Sequence, residues 1–161
     1  MSIVLLTNFV GKYELSITEE SGLKIQQYID RLEVGFLREL FGLELYNLWN
    51  GSALPIYTDL TVPLVFQECG KIWESKGIID MLTGFIYFEY SRDAYTQQTI
   101  DGAQKNEGEN SLNSSFTMAN LQGRYSDALT SYEAIQEFVC KNSVTYPSYK
   151  GVKKYPFIPF F

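Results

Sequence analysis

The sequence predicts an all-α protein, a bundle of about four to five helices with a long polar loop and an extended aromatic C-terminal arm. Three observations lead to this prediction. Residues Gly77–Ala94 form a dense aromatic-aliphatic run, apolar on nearly every face of a helix. Before this run, apolar residues recur at the spacing of an amphipathic helix, and after it another set of apolar residues recurs along one side of a helix. Because a helix that is apolar all round must be buried by neighbours, Gly77–Ala94 is predicted to be the central helix.

The N-terminal third is predicted to hold one long and one short helix. Ile3–Tyr13 is predicted to be a short extended segment. Ser16, followed by Glu19, predicts a capping box at the start of the first helix. Gly42 interrupts that helix, and Leu43–Trp49 adds a short one. The apolar stripe of the first helix consists of Ile25, Ile29, Leu32, Phe36 and Leu40.

The segment before the central helix is predicted to be a loop and then a further helix. Ser52–Thr61 contains a proline and is predicted to be the loop. Pro63 suits the first turn of a helix, which predicts a helix over Leu64–Lys76 that Gly77 ends or bends. The inner positions of this helix would be Leu64, Cys69, Ile72 and Trp73.

A polar loop and a last helix follow the central helix. Ile100–Ser115 is rich in Gly, Asn and Ser and is predicted to be a loop that is either functional or loose. The last helix is predicted over about Phe116–Lys141. Its apolar line consists of Leu121, Tyr125, Ala128, Tyr132, Ile135 and Val139.

The chain is predicted to divide into a helical bundle domain, residues 1–142, and a C-terminal arm, residues 143–161. Prolines and Gly151 exclude a helix in the arm, yet aromatic rings are frequent there. Such a segment should dock in a groove, either on its own bundle or on a neighbouring subunit. The candidate interaction residues are Tyr146, Tyr149, Tyr155, Phe157, Phe160 and Phe161 in the arm and Asn106, Glu107 and Asn110 in the loop.

The residue types argue against an enzyme. The chain has no histidine, which removes the commonest general base and the commonest metal ligand. Glu89, Arg92 and Asp93 lie on adjacent turns of the central helix, a spacing typical of surface ion pairs. Cys69 and Cys140 are far apart, each within a predicted helix, and are expected to be buried free thiols in a reducing compartment. We therefore expect no catalytic residue, no cofactor and no metal site.

Charge and hydropathy exclude further classes. The net charge is −6, from 19 acidic and 13 basic residues, without the basic stripe that grips phosphate backbones. An acidic surface would let DNA pass without binding it, although most acidic proteins are acidic only for solubility. The apolar run Ile3–Leu6 is too short for a membrane span and lacks the basic region of a signal peptide. We expect the protein to be made and kept in the cytoplasm.

The order of elements resembles a known family. A pair of N-terminal helices precedes a central helix with the sequence ML-x-x-FIYFEY-x-RD, and Thr99, Gly102 and the polar loop lead to the last helix, GRYSDALTSYEAIQEFV. This arrangement, over Thr18–Lys141, resembles the small helical connector proteins of tailed phages. These adaptors lie beneath the portal in the head–tail neck.

The resemblance implies a structural virion protein assembled in the host cytoplasm. In that family, identical subunits form a ring, commonly dodecameric, between the portal and the tail, and DNA passes through it without sequence-specific binding. The expected partners are the portal protein, other neck and tail proteins and further copies of the chain, with no membrane. The alternative is a cytosolic helical binding or regulatory module that takes an aromatic ligand or a peptide in a groove.

Overall fold

The computed structural model describes residues 2–49, 55–99, 102–105 and 118–151, and helices dominate it. In chain order the elements are α1 (Glu19–Phe41), α2 (Leu43–Trp49), α3 (Pro55–Thr58), β1 (Leu64–Glu68), β2 (Lys71–Ser75), α4 (Ile78–Tyr95), β3 (Thr96–Thr99), β4 (Gly102–Lys105) and α5 (Met118–Lys141). The fold is therefore mostly helical but not purely so, because two antiparallel hairpins interrupt the helices. Among the described residues, none of the helices is both long and apolar enough to cross a bilayer.

The prediction of a buried central helix is confirmed by α4. Every residue of Met81–Phe88 is buried, so this stretch has no solvent-facing side. Phe85 stacks on Phe36 of α1 at 4.7 Å between ring centroids, and on the side of α5 it lies 5.3 Å from the ring of Tyr125. Helices α1 and α5 thus cover α4 from two sides, which is how a helix apolar all round becomes stable in water.

Both long neighbours run antiparallel to α4. On α1, Tyr28 lies against Tyr90 near the C-terminal end of α4, whereas Phe36 lies further back. On α5, Tyr125 contacts Phe88 of α4, whereas Tyr132, further along α5, contacts Phe85, about one turn earlier in α4. The C-terminal ends of α1 and α5 therefore meet at the start of α4, and we call this the α2 end of the bundle.

Helix α1 begins later than the predicted capping box. The cap is Thr18, whose hydroxyl accepts from the amide of Ser21 at 3.2 Å, while the Ser21 hydroxyl accepts from the amide of Thr18 at 2.7 Å. This reciprocal pair satisfies two amides, so Ser16 is not needed as the cap. Glu19 and Glu20 lie in the first turn, where their negative charge stabilises the helix N-terminus. At its other end the helix stops before Gly42, as predicted, where φ is 77°.

The N-terminal residues fold onto the middle of α1 and are not simply extended. They form 3₁₀ turns at Leu6–Asn8 and Gly11–Tyr13. The buried carboxylate of Glu33 accepts from the amides of Ile3, at 3.0 and 3.2 Å, and Val4, at 3.0 Å. It also accepts from the hydroxyl of Ser2 at 2.6 Å. A single helix side chain thereby holds the first described residues of the chain.

The predicted helix over Leu64–Lys76 is wrong, because these residues form the hairpin β1–β2. Leu64, Phe66 and Trp73 are partly buried, whereas Val65, Gln67, Ile72 and Glu74, which alternate with them along the strands, are exposed. This period of two is the pattern of a half-buried strand, and aromatic and β-branched residues favour strands. The predicted loop before it is also partly helical, since it contains α3 and a 3₁₀ turn at Asp59–Thr61.

The predicted loop Ile100–Ser115 is corrected at its start. Strand β4 falls within it and pairs antiparallel with β3, from Thr96↔Lys105 to Thr99↔Gly102. This hairpin continues directly from the C-terminus of α4. The remainder of the predicted loop lies outside the described residues.

Both cysteines are free and exposed, so the prediction of buried thiols is wrong. Cys69 lies in the turn of β1–β2, where the side chain points away from the core. Cys140 does lie in a helix, as predicted, but it occupies a flank of α5 rather than its buried side.

Candidate interaction surface

The hairpin β1–β2 lies along the C-terminal half of α5 and is attached by its inner face. Phe66 and Trp73 are cross-strand partners with their rings stacked at 6.5 Å. Phe66 also meets Phe138 of α5 edge-on at 5.6 Å. At the base of the hairpin, the amide of Lys76 donates to the hydroxyl of Ser131 at 3.3 Å. These contacts fix which face of the hairpin remains free.

The turn of the hairpin is tied to the last turn of α5. The ammonium of Lys141 pairs with the carboxylate of Glu68 and donates to the carbonyl oxygen of Gln67 at 3.4 Å. On the other strand, the ammonium of Lys71 lies 3.5 Å from the ring centroid of Trp73, a cation–π contact. The hairpin is therefore held at both ends and along its inner face.

The outer face of the hairpin exposes two large aliphatic side chains. Val65 is 68% exposed and Ile72 is 69% exposed. Their cross-strand partners are Glu74 and Gln67, so the two aliphatic residues are diagonal neighbours on this face. We define the outer face by these four residues. A two-stranded sheet also leaves one edge of each strand unpaired, and such edges are templates for another chain.

The hairpin turn contains a residue in a costly conformation. Cys69 has φ 48° and Gly70 has φ 78°, so two successive residues are left-handed, as in a type I′ turn. Glycine adopts this conformation freely, whereas other L-residues lose free energy in it. The turn therefore has the twist that a tight hairpin needs, but Cys69 is a residue type for which the left-handed conformation is unfavourable.

The C-terminal segment after α5 packs on its own bundle as far as the structure describes it. Residues 143–151 follow successive turns, with the amide of Tyr149 donating to the carbonyl oxygen of Tyr146 at 3.1 Å. Tyr146 is 3% exposed and lies 6.3 Å from Tyr57, centroid to centroid. Burial raises the pKa of Tyr146 to about 12, and the carboxylate of Asp59 adds to that rise.

Tyr149 anchors the same segment against α5. Its hydroxyl interacts with the side chains of Gln136 and Cys140, and burial raises the pKa of Tyr149 above the ordinary tyrosine value. Beyond it, the amide of Lys150 donates to the carbonyl oxygen of Phe41 at 3.2 Å. The ammonium of Lys150 pairs with Glu44 of α2 at 2.8 Å. The segment therefore bridges the C-terminal ends of α5 and α1.

Two glycines allow the segment to cross the junction of α1 and α2, the corner formed by Leu40–Gly42. A Cβ at Gly42 would lie 2.8 Å from the backbone of Lys150. A Cβ at Gly151 would overlap the carbonyl oxygen of Leu40. Backbone contacts backbone here, so the path of the chain at Gly151 is sterically determined.

Exposed hydrophobic side chains are more numerous in the elements at the α2 end of the bundle than in the N-terminal segment and the first turns of α1. Of the ten large ones in the described part of the chain, six lie in elements that meet there: Leu43, Leu48, Val62, Val65, Ile72 and Val144. The other four, Leu5, Val10, Ile17 and Leu23, lie in the N-terminal segment and the first turns of α1. Exposed hydrophobic side chains on the elements of one end are candidates for contact with a partner.

Only two of the predicted interaction residues can be located. Tyr146 and Tyr149 both pack in cis, on α3 and α5 respectively. The others lie outside the described residues: Tyr155, Phe157, Phe160, Phe161, Asn106, Glu107 and Asn110. The outer face of the hairpin was missed, and its alternation from Leu64 to Glu68 was the signal that could have indicated it.

The acidic and basic residues of α4 form the predicted ion pairs and one additional link. The guanidinium of Arg92 pairs with Glu89 at 2.5 Å and with Asp93 at 3.1 Å. The carboxylate of Asp93 also accepts from the hydroxyl of Tyr28 at 2.7 Å, which joins α4 to α1. Within the described ranges, no three residues of the His, Cys, Asp or Glu types are grouped to hold a metal ion.

Comparisons with protein-family models, with curated proteins and with solved structures find no match to this chain.

Proposed function

We propose that the protein is a structural connector of a tailed-phage neck, one subunit of a ring adaptor between the portal and the tail. The proposal begins from the resemblance over Thr18–Lys141, in which helices flank an aromatic central helix. Subunits would assemble in the host cytoplasm and remain in the virion. The ring would be built from identical copies, dodecameric as in the family that the chain resembles.

The observation that carries the proposal is the set of exposed hydrophobic residues at the α2 end. Leu43 and Leu48 of α2 expose 62% and 53% of their surface, and Val62 and Val144 are exposed at the same end. Side chains of this kind gain free energy when a partner covers them. We assign this end of the bundle to the contact with the portal or with a tail component.

The charge balance supports a passage for DNA. The net charge of −6 gives the ring an overall repulsion toward a polyanion. A connector must allow the genome to move through it, so weak binding to phosphate is an advantage. In this proposal the part of the predicted arm beyond residue 151 contributes contacts between proteins and takes no part in binding DNA.

The proposal is tested by mixing the purified protein with matched portal complexes and imaging the mixture by electron microscopy. We expect a ring stacked on the narrow end of the portal. The double variant Leu43→Ser, Leu48→Ser should abolish stacking, whereas Leu23→Ser should not. Leu23 is a suitable control because it is 66% exposed and lies in the first turns of α1, away from the α2 end.

Absence of any binding to the matched portal would contradict the connector proposal. In that case the aromatic ligand or peptide module would be the next function to test.

A further inference from the structure

We propose that strand β1 is a contact between two copies of the chain, which pair edge to edge about a two-fold axis at Val65. The two hairpins would then form one antiparallel sheet, with β2 and β1 of one copy followed by β1 and β2 of the other. Such a contact is isologous, so it closes at two copies and neither builds nor requires a ring. The inference therefore goes beyond the connector proposal and is tested separately from it.

The hydrogen-bonding pattern of the hairpin determines which backbone groups point outward. Glu68 and Lys71 flank a two-residue turn and form a hydrogen-bonded pair, and such pairs alternate along an antiparallel ladder. Phe66 therefore bonds to β2. The amide and carbonyl groups of Val65 and Gln67 point the other way, to the free edge of β1.

This edge offers hydrogen-bonding groups to another strand. Within the described ranges, the amides of Val65 and Gln67 and the carbonyl of Val65 bond to no group outside the hairpin. The carbonyl oxygen of Gln67 accepts from the ammonium of Lys141 at 3.4 Å. Two donors and one acceptor are thus available, while the second acceptor is already occupied.

A second copy of the same strand matches this pattern when Val65 lies opposite Val65 of that copy. The two valines then exchange both of their backbone hydrogen bonds. The amide of Gln67 donates to the carbonyl of Pro63 in the other copy, and the two-fold axis repeats this bond. The return bond is missing, because proline has no N–H to donate. Its acceptor would have been the Gln67 carbonyl, which Lys141 already holds.

The same register brings apolar side chains together on both faces of the sheet. On the inner face, Phe66 lies opposite Leu64 of the other copy, and each of these residues is only partly buried by its own subunit. On the outer face, the two Val65 side chains, each 68% exposed, become neighbours. Apolar cross-strand pairs of this kind stabilise a sheet.

The adjacent register, with the two-fold axis at Phe66, is less favourable. It places Leu64 opposite the carboxylate of Glu68 in the other copy. It also makes an amide of the other copy compete with Lys141 for the Gln67 carbonyl. We therefore place the axis at Val65.

Strand β1 suits this pairing better than β2 does. The backbone of β2 lies closer to α5, so β1 is the outer strand of the hairpin. The outward position Glu74 puts a carboxylate on the edge of β2, and charges on an edge strand oppose pairing. The outward residues of β1, Val65 and Gln67, are uncharged, and the carboxylate of Glu68 is paired with Lys141.

The first test is sedimentation equilibrium of the full-length protein up to about 1 mM. A contact between two short strands belongs to the small, weak class of interfaces, so we expect a monomer–dimer equilibrium with a dissociation constant between about 1 μM and about 1 mM. Val65→Lys should raise this constant at least about tenfold, because two ammonium groups would meet at the two-fold axis.

Ile72→Lys is the matched control for this variant. Ile72 is 69% exposed, lies on the same face as Val65 and receives the same charge, but it belongs to β2 and not to the paired edge. The dissociation constant should stay nearly unchanged. Tryptophan fluorescence, to which Trp73 of the hairpin contributes, checks that both variants keep the hairpin.

A cysteine cross-link tests the register in a chain that carries Cys69→Asn and Cys140→Ser. Opposite residues of a hydrogen-bonded pair have Cα atoms about 5.5 Å apart, a distance that a disulfide spans. Mild oxidation should therefore join Val65→Cys chains into a covalent dimer. Gln67→Cys chains should not be joined, because the two positions lie about 14 Å apart in this register.

A wild-type protein that stays monomeric throughout this range would overturn the inference. Equal weakening by Val65→Lys and Ile72→Lys would also overturn it, since it would indicate a contact through the outer face. Disulfide formation by Gln67→Cys as efficient as that by Val65→Cys would exclude the proposed register. No portal is present in these experiments, so their outcome is independent of portal stacking.

Discussion

The backbone amide of Lys150 donates to the carbonyl oxygen of Phe41 at 3.2 Å, although one residue follows α5 and the other ends α1. The contact is possible because Gly42 and Gly151 carry no side chain at the crossing. It closes the described part of the fold by attaching the C-terminal segment to the first long helix.

Gly151→Ala should destabilise the protein by about 1–3 kcal/mol, the usual cost of forcing atoms into a packed site. The added Cβ would overlap the carbonyl oxygen of Leu40 and push the segment away. Urea unfolding measures the loss, and hydrogen exchange at the Lys150 amide should become faster. Gly123→Ala is the control, since nothing lies within 4 Å of its Cβ position in α5. That variant should gain about 0.5–1 kcal/mol. Equal effects of the two variants would contradict the crossing.

Cys69→Asn should stabilise the hairpin by about 1 kcal/mol. Its φ of 48° is left-handed, which asparagine tolerates better than cysteine, and Asn-Gly is a preferred type I′ pair. Cys69→Val should destabilise the protein, because a β-branched residue is strained at this φ. The urea midpoints of the two variants provide the measurement. A valine variant as stable as the asparagine variant would show that the turn is not left-handed.

Glu33→Gln should cost about 1–3 kcal/mol, the penalty for leaving a buried hydrogen-bond donor without its acceptor. The carboxylate accepts from Ser2, Ile3 and Val4, and an amide group has only one acceptor oxygen. Faster hydrogen exchange at the amides of Ile3 and Val4 should accompany the loss. Glu20→Gln removes a solvent-exposed pair with Lys24 and one charge at the N-terminus of α1, and should lower the urea midpoint much less than Glu33→Gln does.

Stability should fall as the pH rises above about 10. Burial raises the pKa of Tyr146 from 10.0 to about 12, so the folded state keeps a proton that the unfolded chain releases. The contribution is fully present below pH 10 and is lost between pH 10 and about 12. Urea midpoints measured from pH 8 to pH 11 should show the fall. Tyr146→Phe should make it shallower, and comparison of the two proteins at pH 8 separates the effect of ionisation from the loss of the hydroxyl. Parallel curves for the two proteins would contradict this assignment.

The long helices could be predicted because their signals extend over many residues. Gly77–Ala94 is apolar on nearly every side, and α4 occupies nearly the same range. The stripe that begins at Ile25 repeats over several turns and identifies α1, and Gly42 ends that helix by adopting a positive φ. A long periodic pattern fits only one type of element, so the packing of the core and the local preferences of the residues favour the same helix.

The hairpin β1–β2 could not be predicted by the same reasoning because its strands have only five residues each. Over so short a length a period of two competes with a helical pattern, and Pro63 favoured the helix. Cys69 gave no turn signal, since cysteine is not typical of a left-handed position.

The hydrogen-bond donors to Glu33 could not be predicted from the sequence either. They are backbone amides about 30 residues away, and a glutamate in a helix normally faces solvent. In the arm, the aromatic residues predicted docking, but sequence alone left open whether Tyr146 packs on its own bundle. The structure places it against Tyr57 of the same chain.

The crossing at Gly42 and Gly151 also sets an order of events on the ribosome. The corner that receives Lys150 is synthesised roughly 100 residues before Lys150 itself, which at about 5–20 residues per second leaves a delay of order 5 to 20 seconds. During that delay the corner stays uncovered, because the segment that covers it has not yet been made. Docking of the C-terminal segment is therefore the last step in closing the described part of the fold.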